Sequence, residues 1–340
     1  MKMFLDVMYD DTKNARKIKS CDYNNEGKYP IIDQGSKLIN GYTDELDGLY
    51  KDIPVIVFGD HTRRFKLVEE PFFIGADGTK VLKLCSLAYD YKFIYYYLIH
   101  QKIPDTGYNR HFKWVKEIEF PEIAHSIQCS IVKKLDLLNN LISSRNELLK
   151  SLDILIKSRF VELFGDPNIV ESNKCVKFSS IAKIITGNTP SRKSPEYYGD
   201  YIEWIKSDNI ISNDLYISQA KEYLSEQGVV KGRVAPKGSL LMTCIAGSIR
   251  SIGNIGLCDR TVAFNQQINA IVLKNNINSL YVYWVLKLFK PSIIANVEMS
   301  LKGIISKSQL ENMFIPIIAS NKEQDLFAKF VLQINKLKFA

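Results

Sequence analysis

Residues 122–164 have the sequence EIAHSIQCSIVKKLDLLNNLISSRNELLKSLDILIKSRFVELF, which contains no glycine and no proline. Pro121 precedes this stretch and Gly165-Asp166-Pro167 follows it, so helix-breaking residues stand at both ends. The stretch is therefore predicted to form one continuous helix, roughly 60 Å long at ~1.5 Å per residue. Since such a helix is far longer than those usual in globular domains, it is expected to act as a spacer or scaffold.

Apolar residues recur along this helix with a period of seven. The main row of the pattern is Leu135, Ile142, Leu149, Ile156 and Leu163, and the interleaved row is Ile131, Leu138 and Leu152. A sustained heptad repeat keeps one stripe against a partner helix, so a second helix is predicted to lie alongside. Arg145 and Arg159 interrupt the interleaved row. They either extend their stems along a partly exposed seam, or fix register or dock a third element.

The composition is that of a globular protein with room for two domains. Of the 340 residues, 46% are hydrophobic and 24% are charged, and the net charge of +8 favours acidic partners such as nucleic acid. The first residues lack the pattern of a signal peptide, and no apolar run is long enough to span a membrane. The six cysteines form no Cys-x-x-Cys pair, so reduced thiols in a cytoplasm are expected.

Two basic segments stand out before the long helix. A buried strand is predicted over residues 53–58, and the polar loop 59–64 follows it with two adjacent arginines. Residues 107–114 form a second basic segment, in which aromatic residues alternate with charges. Further strands are predicted over residues 72–75 and 79–84, and a helix over residues 91–100.

After the long helix the chain repeats its pattern. A second buried strand, residues 239–244, leads into the polar loop 246–250. Corresponding segments follow in the same order: 73–82 with 264–273, 93–96 with 281–284, Gly107 with Gly303, and 118–121 with 313–316. The helix also begins again, because Phe327, Val331 and Ile334 come 196 residues after Ile131, Leu135 and Leu138.

The predicted order is therefore domain, helix, domain, helix, with boundaries at residues 1–121, 122–164, 165–318 and 319–340. The two helices are expected to pair antiparallel within the chain. The second helix reaches only about half the length of the first, so it is expected to be truncated or completed by a partner.

The motifs of several chemistries are absent. There is no Pro-Pro for the base-holding turn of an adenine methyltransferase, and no P-loop. The four histidines show no pair at metal-ligand spacing, so no metal site is predicted. Glu26-Gly27-Lys28 with Asp10, Asp11 or Asp22 superficially suits a metal-dependent nuclease, but such a triplet arises by chance in most chains of this length.

The polar loops suit binding instead. Arg63, Arg64 and Arg110 match the bidentate recognition of guanine, and Asn265, Gln266 and Gln267 match that of adenine. The alternative is that the loop side chains are solvated and that residues 265–267 make structural hydrogen bonds within a sheet.

Several segments resemble those of the DNA-specificity subunits of type I restriction-modification systems. Residues 157–167, KSRFVELFGDP, are similar to that family's junction between its first long helix and its second recognition domain. IITGNTPS at 184–191 and EWIKSD at 203–208 resemble the domain entry, and NQQIN at 265–269 and GIIS at 303–306 complete the match. The first domain lacks the Gly-x-Thr-Pro loop, so its assignment rests on the repeat.

The resemblance implies a mixed α/β fold with two target recognition domains separated by two long antiparallel coiled-coil helices. Each domain would read one half of a bipartite site in double-stranded DNA, and the helices would set the gap. The chain would dock methyltransferase (modification) subunits that use S-adenosylmethionine and restriction subunits driven by ATP and Mg²⁺. It would itself be a non-catalytic cytoplasmic protein that binds no cofactor. Self-association through the short second helix is a further expectation.

Two alternatives remain at this point: the specificity chain of a fused nuclease and methyltransferase system, and a coiled-coil scaffold for proteins. The predicted DNA-binding residues are polar and basic loop side chains: His61, Arg63, Arg64, Lys66, Asn109, Arg110, Lys113, Thr186, Asn188, Thr189, Ser191, Arg192, Ser207, Asp208, Ser248, Arg250, Asn265, Gln266, Gln267, Lys302, Ser306 and Lys307. The predicted helix-pairing residues are Ile131, Leu135, Leu138, Ile142, Leu149, Leu152, Ile156, Phe327, Val331 and Ile334.

Overall fold

The computed structural model describes residues 1–75, 77–107, 109–171, 174–274, 277–295, 297, 303–317 and 319–339. The chain divides into two compact units, which we call unit 1 (Met1–Arg145) and unit 2 (Asn146–Ala340). The boundary lies inside the long helix, so each unit contains one part of that helix. No helix within the described residues is both long and apolar enough to cross a membrane.

Unit 1 is built from short strands and helices around an antiparallel sheet. Its strands are β1 Met8–Asp10, β2 Tyr29–Ile32, β3 Gly41–Thr43, β4 Val55–Gly59, β5 Arg64–Val68, β6 Phe73–Ile74 and β7 Thr79–Leu84. Its helices are α1 Phe4–Val7, α2 Tyr91–Ile99, α3 Phe112–Val115 and the first part of α4 His125–Phe164.

Strand β4 separates two cores of unit 1, because its residues are buried on both faces. The main sheet has the order β1-β7-β4-β5. Ile56 and Phe58 pack in one core with side chains of α2, while Val55 and Val57 pack in the other with Ile32 of β2. Since strand side chains alternate in direction, the apolar run holds a helix layer on one face and a second small sheet, β3-β2-β6, on the other.

Unit 2 has more strands but the same plan. Its strands are β8 Cys175–Lys177, β9 Ala182–Thr186, β10 Tyr198–Gly199, β11 Ile202–Ile205, β12 Tyr223–Leu224, β13 Val234–Ala235, β14 Leu240–Thr243, β15 Ile245–Ala246, β16 Ile255–Leu257, β17 Val262–Phe264, β18 Ile268–Leu273, β19 Gly303–Ile304 and β20 Phe314–Pro316. Its helices are α5 Phe178–Ile181, α6 Glu226–Lys231, α7 Ser279–Ile294, α8 Lys307–Asn312 and α9 Asn321–Phe339, with the second part of α4.

The sheet order confirms the internal repeat predicted from the sequence. The main sheet of unit 2 has the order β9-β18-β14-β16, which matches β1-β7-β4-β5 strand for strand. The second sheets also correspond, since β2 pairs parallel with β6 in unit 1 and β11 pairs parallel with β17 in unit 2. The two units are thus two copies of one mixed α/β fold.

Helix α4 is one continuous helix, as predicted, and it begins at His125. In unit 2 its later part pairs with α9. The ring centroids of Phe160 and Phe327 lie 5.3 Å apart, and Lys338 Nζ donates to Asp153 Oδ1 at 2.6 Å. Because the partner residues on α9 advance as those on α4 go back, the pair is antiparallel, as expected.

Only part of the predicted heptad seam is buried. Leu152 and Ile156 are buried, as are Phe327, Val331 and Ile334 of α9, but Leu138, Ile142 and Leu163 are 53%, 60% and 44% exposed. The first two lie in the middle of α4, where they remain at the surface. Leu149 is only half-buried, and Ile131 and Leu135 are half-buried in unit 1.

The buried row in unit 2 has a spacing of four instead of seven and runs through Leu152, Ile156, Phe160 and Phe164. The reason is that the end of α4 packs on a globular core. The Phe160 ring stacks on Tyr281 of α7 with centroids 5.7 Å apart, and Phe164 lies edge-on to the same ring. A straight helix against a globular core follows its own period of about 3.6 residues and needs no supercoil.

Candidate nucleic-acid interface

In unit 1 the two basic segments predicted from the sequence lie side by side. Asp60, at the end of β4, is buried, and its Oδ1 accepts the backbone N–H of Phe112 at 2.6 Å. The Asp60 carbonyl lies 2.8 Å from Nδ1 of the buried His111. On the surface above, His61 Nδ1 lies 3.1 Å from the Asn109 carbonyl. Asp60 therefore fastens the 59–64 loop to the 109–113 segment.

The arginines of this loop differ in their surroundings. Arg63 adopts a left-handed backbone conformation (φ 58°) and its Nη2 pairs with Asp105 at 2.8 Å. Arg64 is exposed, and both arginines line a cavity of 630 Å³ that Lys92 and Tyr96 also border. Arg110 and Lys113 are exposed too, and Lys113 Nζ lies 4.8 Å from the centre of the Trp114 ring. This arrangement gathers cations and aromatic faces, the two features that meet phosphates and bases.

Lys66 borders the same cavity but is almost entirely covered by the chain, which corrects its predicted place among the exposed contact residues. Its side chain is only 6% exposed, and Nζ donates to the Asp33 carbonyl at 2.6 Å. Burial lowers the pKa of this ammonium group below its ordinary value. Arg64 and Lys66 are two residues apart on β5 and point to the same face of the strand. Lys66 is buried because the segment that carries Asp33 and Leu38 covers it, whereas Arg64 is exposed at the start of the strand.

Gln34 contacts the 59–64 loop, although it was not among the residues predicted from the sequence. Its Oε1 accepts from the His61 N–H at 3.3 Å, its Nε2 donates to the Asp77 carbonyl at 3.1 Å, and its carbonyl accepts from Thr62 Oγ1 at 2.6 Å. Gln34 comes directly after β2 and Asp33. In unit 2, Gln266 similarly follows β17, a strand of the parallel pair. This matching position in the repeat could have identified Gln34 from the sequence.

In unit 2 the 187–192 loop crosses the turn that joins β17 to β18. A Cβ on Gly187 would lie 2.0 Å from the Asn265 carbonyl oxygen, so only glycine allows this close approach. Asn188 Nδ2 donates to the Lys231 carbonyl at 2.6 Å, and the hydroxyl of Thr189 donates to Gln266. Thr186, Thr189, Ser191 and Gln266 are exposed along this edge.

Asn265 is a second correction, because its side chain is only 6% exposed. Its Oδ1 accepts the Gln267 N–H and its Nδ2 donates to Gln267 Oε1, both at 3.1 Å. The same Oε1 accepts from Ser207 Oγ at 3.2 Å. Asn265 therefore shapes the turn, which was the alternative kept open above, while Gln266 and Asp208 remain exposed.

A charged and aromatic cluster stands next to this turn. Arg192 pairs with Glu222 at 2.5 Å, and its guanidinium carbon lies 4.3 Å from the Tyr198 ring centre and 5.0 Å from that of Trp204. Lys206 also bonds to Glu222. Its hydrogen bond, with that of Arg192, holds the pKa of the Glu222 carboxyl below the ordinary value. Glu222, which the sequence analysis missed, thus orients both cations.

The remaining candidates of unit 2 lie on two neighbouring segments. Strand β15 pairs with β19, which places the 246–250 loop beside residues 303–306. Ser248 and Arg250 are exposed. Ser306 is the N-cap of α8, where Oγ accepts from the Gln309 N–H at 3.1 Å, and Lys307 pairs with Glu311 at 3.5 Å. Lys302 lies outside the described residues.

Both units thus gather exposed polar side chains where their parallel strand pair ends. In unit 1 these are the residues after β2 with the loop after β4, and in unit 2 the residues after β11 and β17 with the loop after β15. The chain is therefore a two-unit protein in which one fold, with this edge, occurs twice. The use of the exposed residues in DNA binding remains a prediction.

Comparison with known proteins identifies the family. Residues 171–339 match the family model described as the type I restriction modification DNA specificity domain. The chain is 23% identical over 331 residues to the EcoR124I/EcoR124II type I restriction enzyme specificity subunit of Escherichia coli, an alignment that spans 90% of this chain and 80% of that protein. The chain belongs to the family of type I restriction-modification specificity subunits.

Solved structures agree on the fold. The S subunit of a type I restriction-modification system from M. genitalium superposes with a TM-score of 0.64 at 16% identity, over 99% of this chain and 89% of that one. A second chain comes from work on the complex assembly and conformational transition of the type I R-M system. It superposes with a TM-score of 0.52 at 15% identity, over 91% of this chain and 84% of that one.

Proposed function

We propose that this chain is the DNA-specificity subunit of a type I restriction-modification complex, in which unit 1 reads one half of a bipartite site and unit 2 reads the other. The observation that carries the proposal is the duplicated edge. Two copies of one fold each present an exposed set of cations and amides, Arg64 and Arg110 in unit 1 and Arg192 and Gln266 in unit 2. Different side chains on the same frame suit two different half-sites.

Two linked readers explain how such small edges specify a site. A good bidentate contact discriminates by about 1 to 3 kcal/mol, so either unit alone would select weakly. Linkage through α4 makes the second binding event intramolecular, and the discrimination of the two units multiplies. The length of α4 sets the gap between the half-sites.

The partners follow from the same proposal. Methyltransferase subunits supply S-adenosylmethionine and adenine methylation, and restriction subunits supply ATP and Mg²⁺ chemistry. This chain supplies the address in a cytoplasmic complex and carries no reaction of its own. Exposed apolar residues in the middle of α4, including Leu137, Leu138, Leu141 and Ile142, offer the modification subunits a docking surface.

The test is methylation-sensitive sequencing of DNA from cells that express the chain with its partner methyltransferase. We expect one split, adenine-methylated motif. Arg64→Ala with Arg110→Ala should relax the half read by unit 1 only, and Gln266→Ala the half read by unit 2 only. An undivided motif would contradict the two-reader proposal. No motif at all, with a folded complex in hand, would favour a scaffold function instead.

A further inference from the structure

Three side chains of metal-binding type converge in unit 1, away from the candidate nucleic-acid interface. His125 is the first residue of α4, Cys129 follows one turn later, and Asp90 is the N-cap of α2. One ligand atom from each lies within 4.8 Å of the other two. Within this cluster, His125 Nδ1 and Cys129 Sγ lie 3.5 Å apart.

The spacing agrees with a tetrahedral zinc site. With Zn–S near 2.3 Å and Zn–N near 2.0 Å, a tetrahedral ion holds sulfur and nitrogen about 3.6 Å apart. Asp90 Oδ1 accepts the Phe93 N–H at 2.9 Å, and its carboxylate offers the second oxygen for coordination. A thiolate with an imidazole selects zinc over the hard cations Mg²⁺ and Ca²⁺.

The site is held in place by a buried glutamine. Gln128 is fully buried, and its Oε1 accepts the Asp90 N–H at 2.9 Å. Its Nε2 donates to the carbonyls of Ala88 and Ile123, at 2.8 and 2.7 Å. This side chain fixes the backbone of Asp90 against the first turn of α4, where the other two ligands stand. A cavity of 600 Å³ borders Asp90 and His125 and gives an ion a path from solvent.

The second copy of the fold carries different chemistry at the same place. Gln324 binds the backbone of Asn278, the N-cap of α7, as Gln128 binds that of Asp90. Asn321 begins α9 as His125 begins α4, and Asp325 follows its glutamine as Cys129 does. There Asn278 Nδ2 donates to Asp325 Oδ1 at 2.8 Å, a direct hydrogen bond across the junction. In unit 1, Asp90 stands in the place of Asn278 and Cys129 in the place of Asp325. A carboxylate and a thiol therefore replace the amide donor and the carboxylate acceptor.

We propose that Asp90, His125 and Cys129 bind one zinc ion, with a water molecule completing the tetrahedron. The ion ties the start of α4 to the start of α2, and so performs in unit 1 the fastening that the hydrogen bond between Asn278 and Asp325 performs in unit 2. The role proposed for the ion is to hold α4 where it leaves the unit.

The test is titration of the untagged, metal-free full chain with Co²⁺, followed by competition with Zn²⁺. We expect a single equivalent to give the visible bands of a tetrahedral ion and an ultraviolet thiolate charge-transfer band, both abolished by zinc. Cys129→Ser should remove the charge-transfer band and weaken binding by about a hundredfold or more. His125→Gln, at an exposed position, should weaken binding while the fold is retained by circular dichroism.

The matched controls are two exposed cysteines outside the cluster. Cys21→Ser is remote from it, and Cys85→Ser changes a thiol that borders the same cavity as Asp90 and His125. Both should bind cobalt as the original chain does. The proposal is overturned if the original chain shows no thiolate band, or if the band survives in folded Cys129→Ser.

Discussion

Gln128 and Gln324 make the same contact in the two copies of the fold. Each side chain accepts the backbone N–H of a helix N-cap residue, Asp90 at 2.9 Å and Asn278 at 3.0 Å. Each also donates to a carbonyl just before its own helix, Ile123 at 2.7 Å and Ala319 at 3.0 Å. Both glutamines are buried, so the first turn of α4 and that of α9 are each fixed by buried side-chain hydrogen bonds, which we call the glutamine staples.

We expect Gln128→Leu and Gln324→Leu each to lower the free energy of unfolding by about 2 to 4 kcal/mol, because each change leaves backbone groups buried without partners. Urea denaturation measures this. Gln227→Leu, at an exposed position of α6, is the control and should change stability by less than about 0.5 kcal/mol. Equal small effects from all three variants would show that the staples contribute nothing.

Lys66 and Arg64 lie on the same strand, but we expect a substitution of Lys66 to lower stability and a substitution of Arg64 to weaken DNA binding. Lys66→Met leaves the Asp33 carbonyl without its donor and should cost about 1 to 3 kcal/mol of stability, with DNA affinity unchanged. Arg64→Gln should leave stability unchanged and reduce the slope of log affinity against log salt by about 1, since one phosphate contact is lost. Denaturation and salt-dependent fluorescence anisotropy on duplex DNA give the two readouts. If Lys66→Met instead weakens DNA binding and leaves stability unchanged, Lys66 takes part in DNA binding.

Glu222 is expected to make unit 2 sensitive to acid. Its carboxyl pKa is lowered in the folded chain, chiefly by the hydrogen bond from Lys206. The unfolded chain therefore binds the proton more readily, and the stabilisation present at neutral pH is lost as the pH falls through the folded-state value. Between pH 6 and pH 3 the melting temperature should fall more for the original chain than for Glu222→Gln. Parallel curves would contradict this linkage.

The length of α4 is expected to control the gap in the recognised site. Duplicating residues 142–145 adds about 6 Å of helix at ~1.5 Å per residue, which corresponds to roughly one to two base pairs of duplex. The methylated motif should keep both half-sites while its unspecified gap lengthens. An unchanged gap in a complex that still methylates DNA would rule out this role for the helix.

The parts of the fold predicted from the sequence are those with local signals. The long helix followed from the absence of glycine and proline, and the repeat from the order of apolar strands. The seam failed at Leu163 because a heptad pattern does not tell a partner helix from a globular core, and Phe164, one residue on, is the side chain that core buries.

The site was predicted to the level of its loops and less well residue by residue. The two basic segments of unit 1 do meet, but Lys66 and Asn265 are buried. Lys66 bonds to a carbonyl that only the folded chain brings near, whereas Asn265 bonds to Gln267, two residues further along the chain. Asp33, on another strand end, receives the Lys66 ammonium group. The spacing of His125 and Cys129 on one helix face was visible in the sequence, whereas Asp90 joins them only through the contact between α2 and α4.

The aromatic packing of Phe160 and Phe164 on Tyr281 has a consequence for the gene. Because unit 2 closes its core on its own portion of α4, and unit 1 on the portion before Arg145, neither core depends on apolar contacts from the middle of the helix. Recombination between related genes at that point would join two intact cores without repacking either. If each unit reads one half-site, as proposed, a single crossover at that point would give a new pair of half-sites and leave both cores intact.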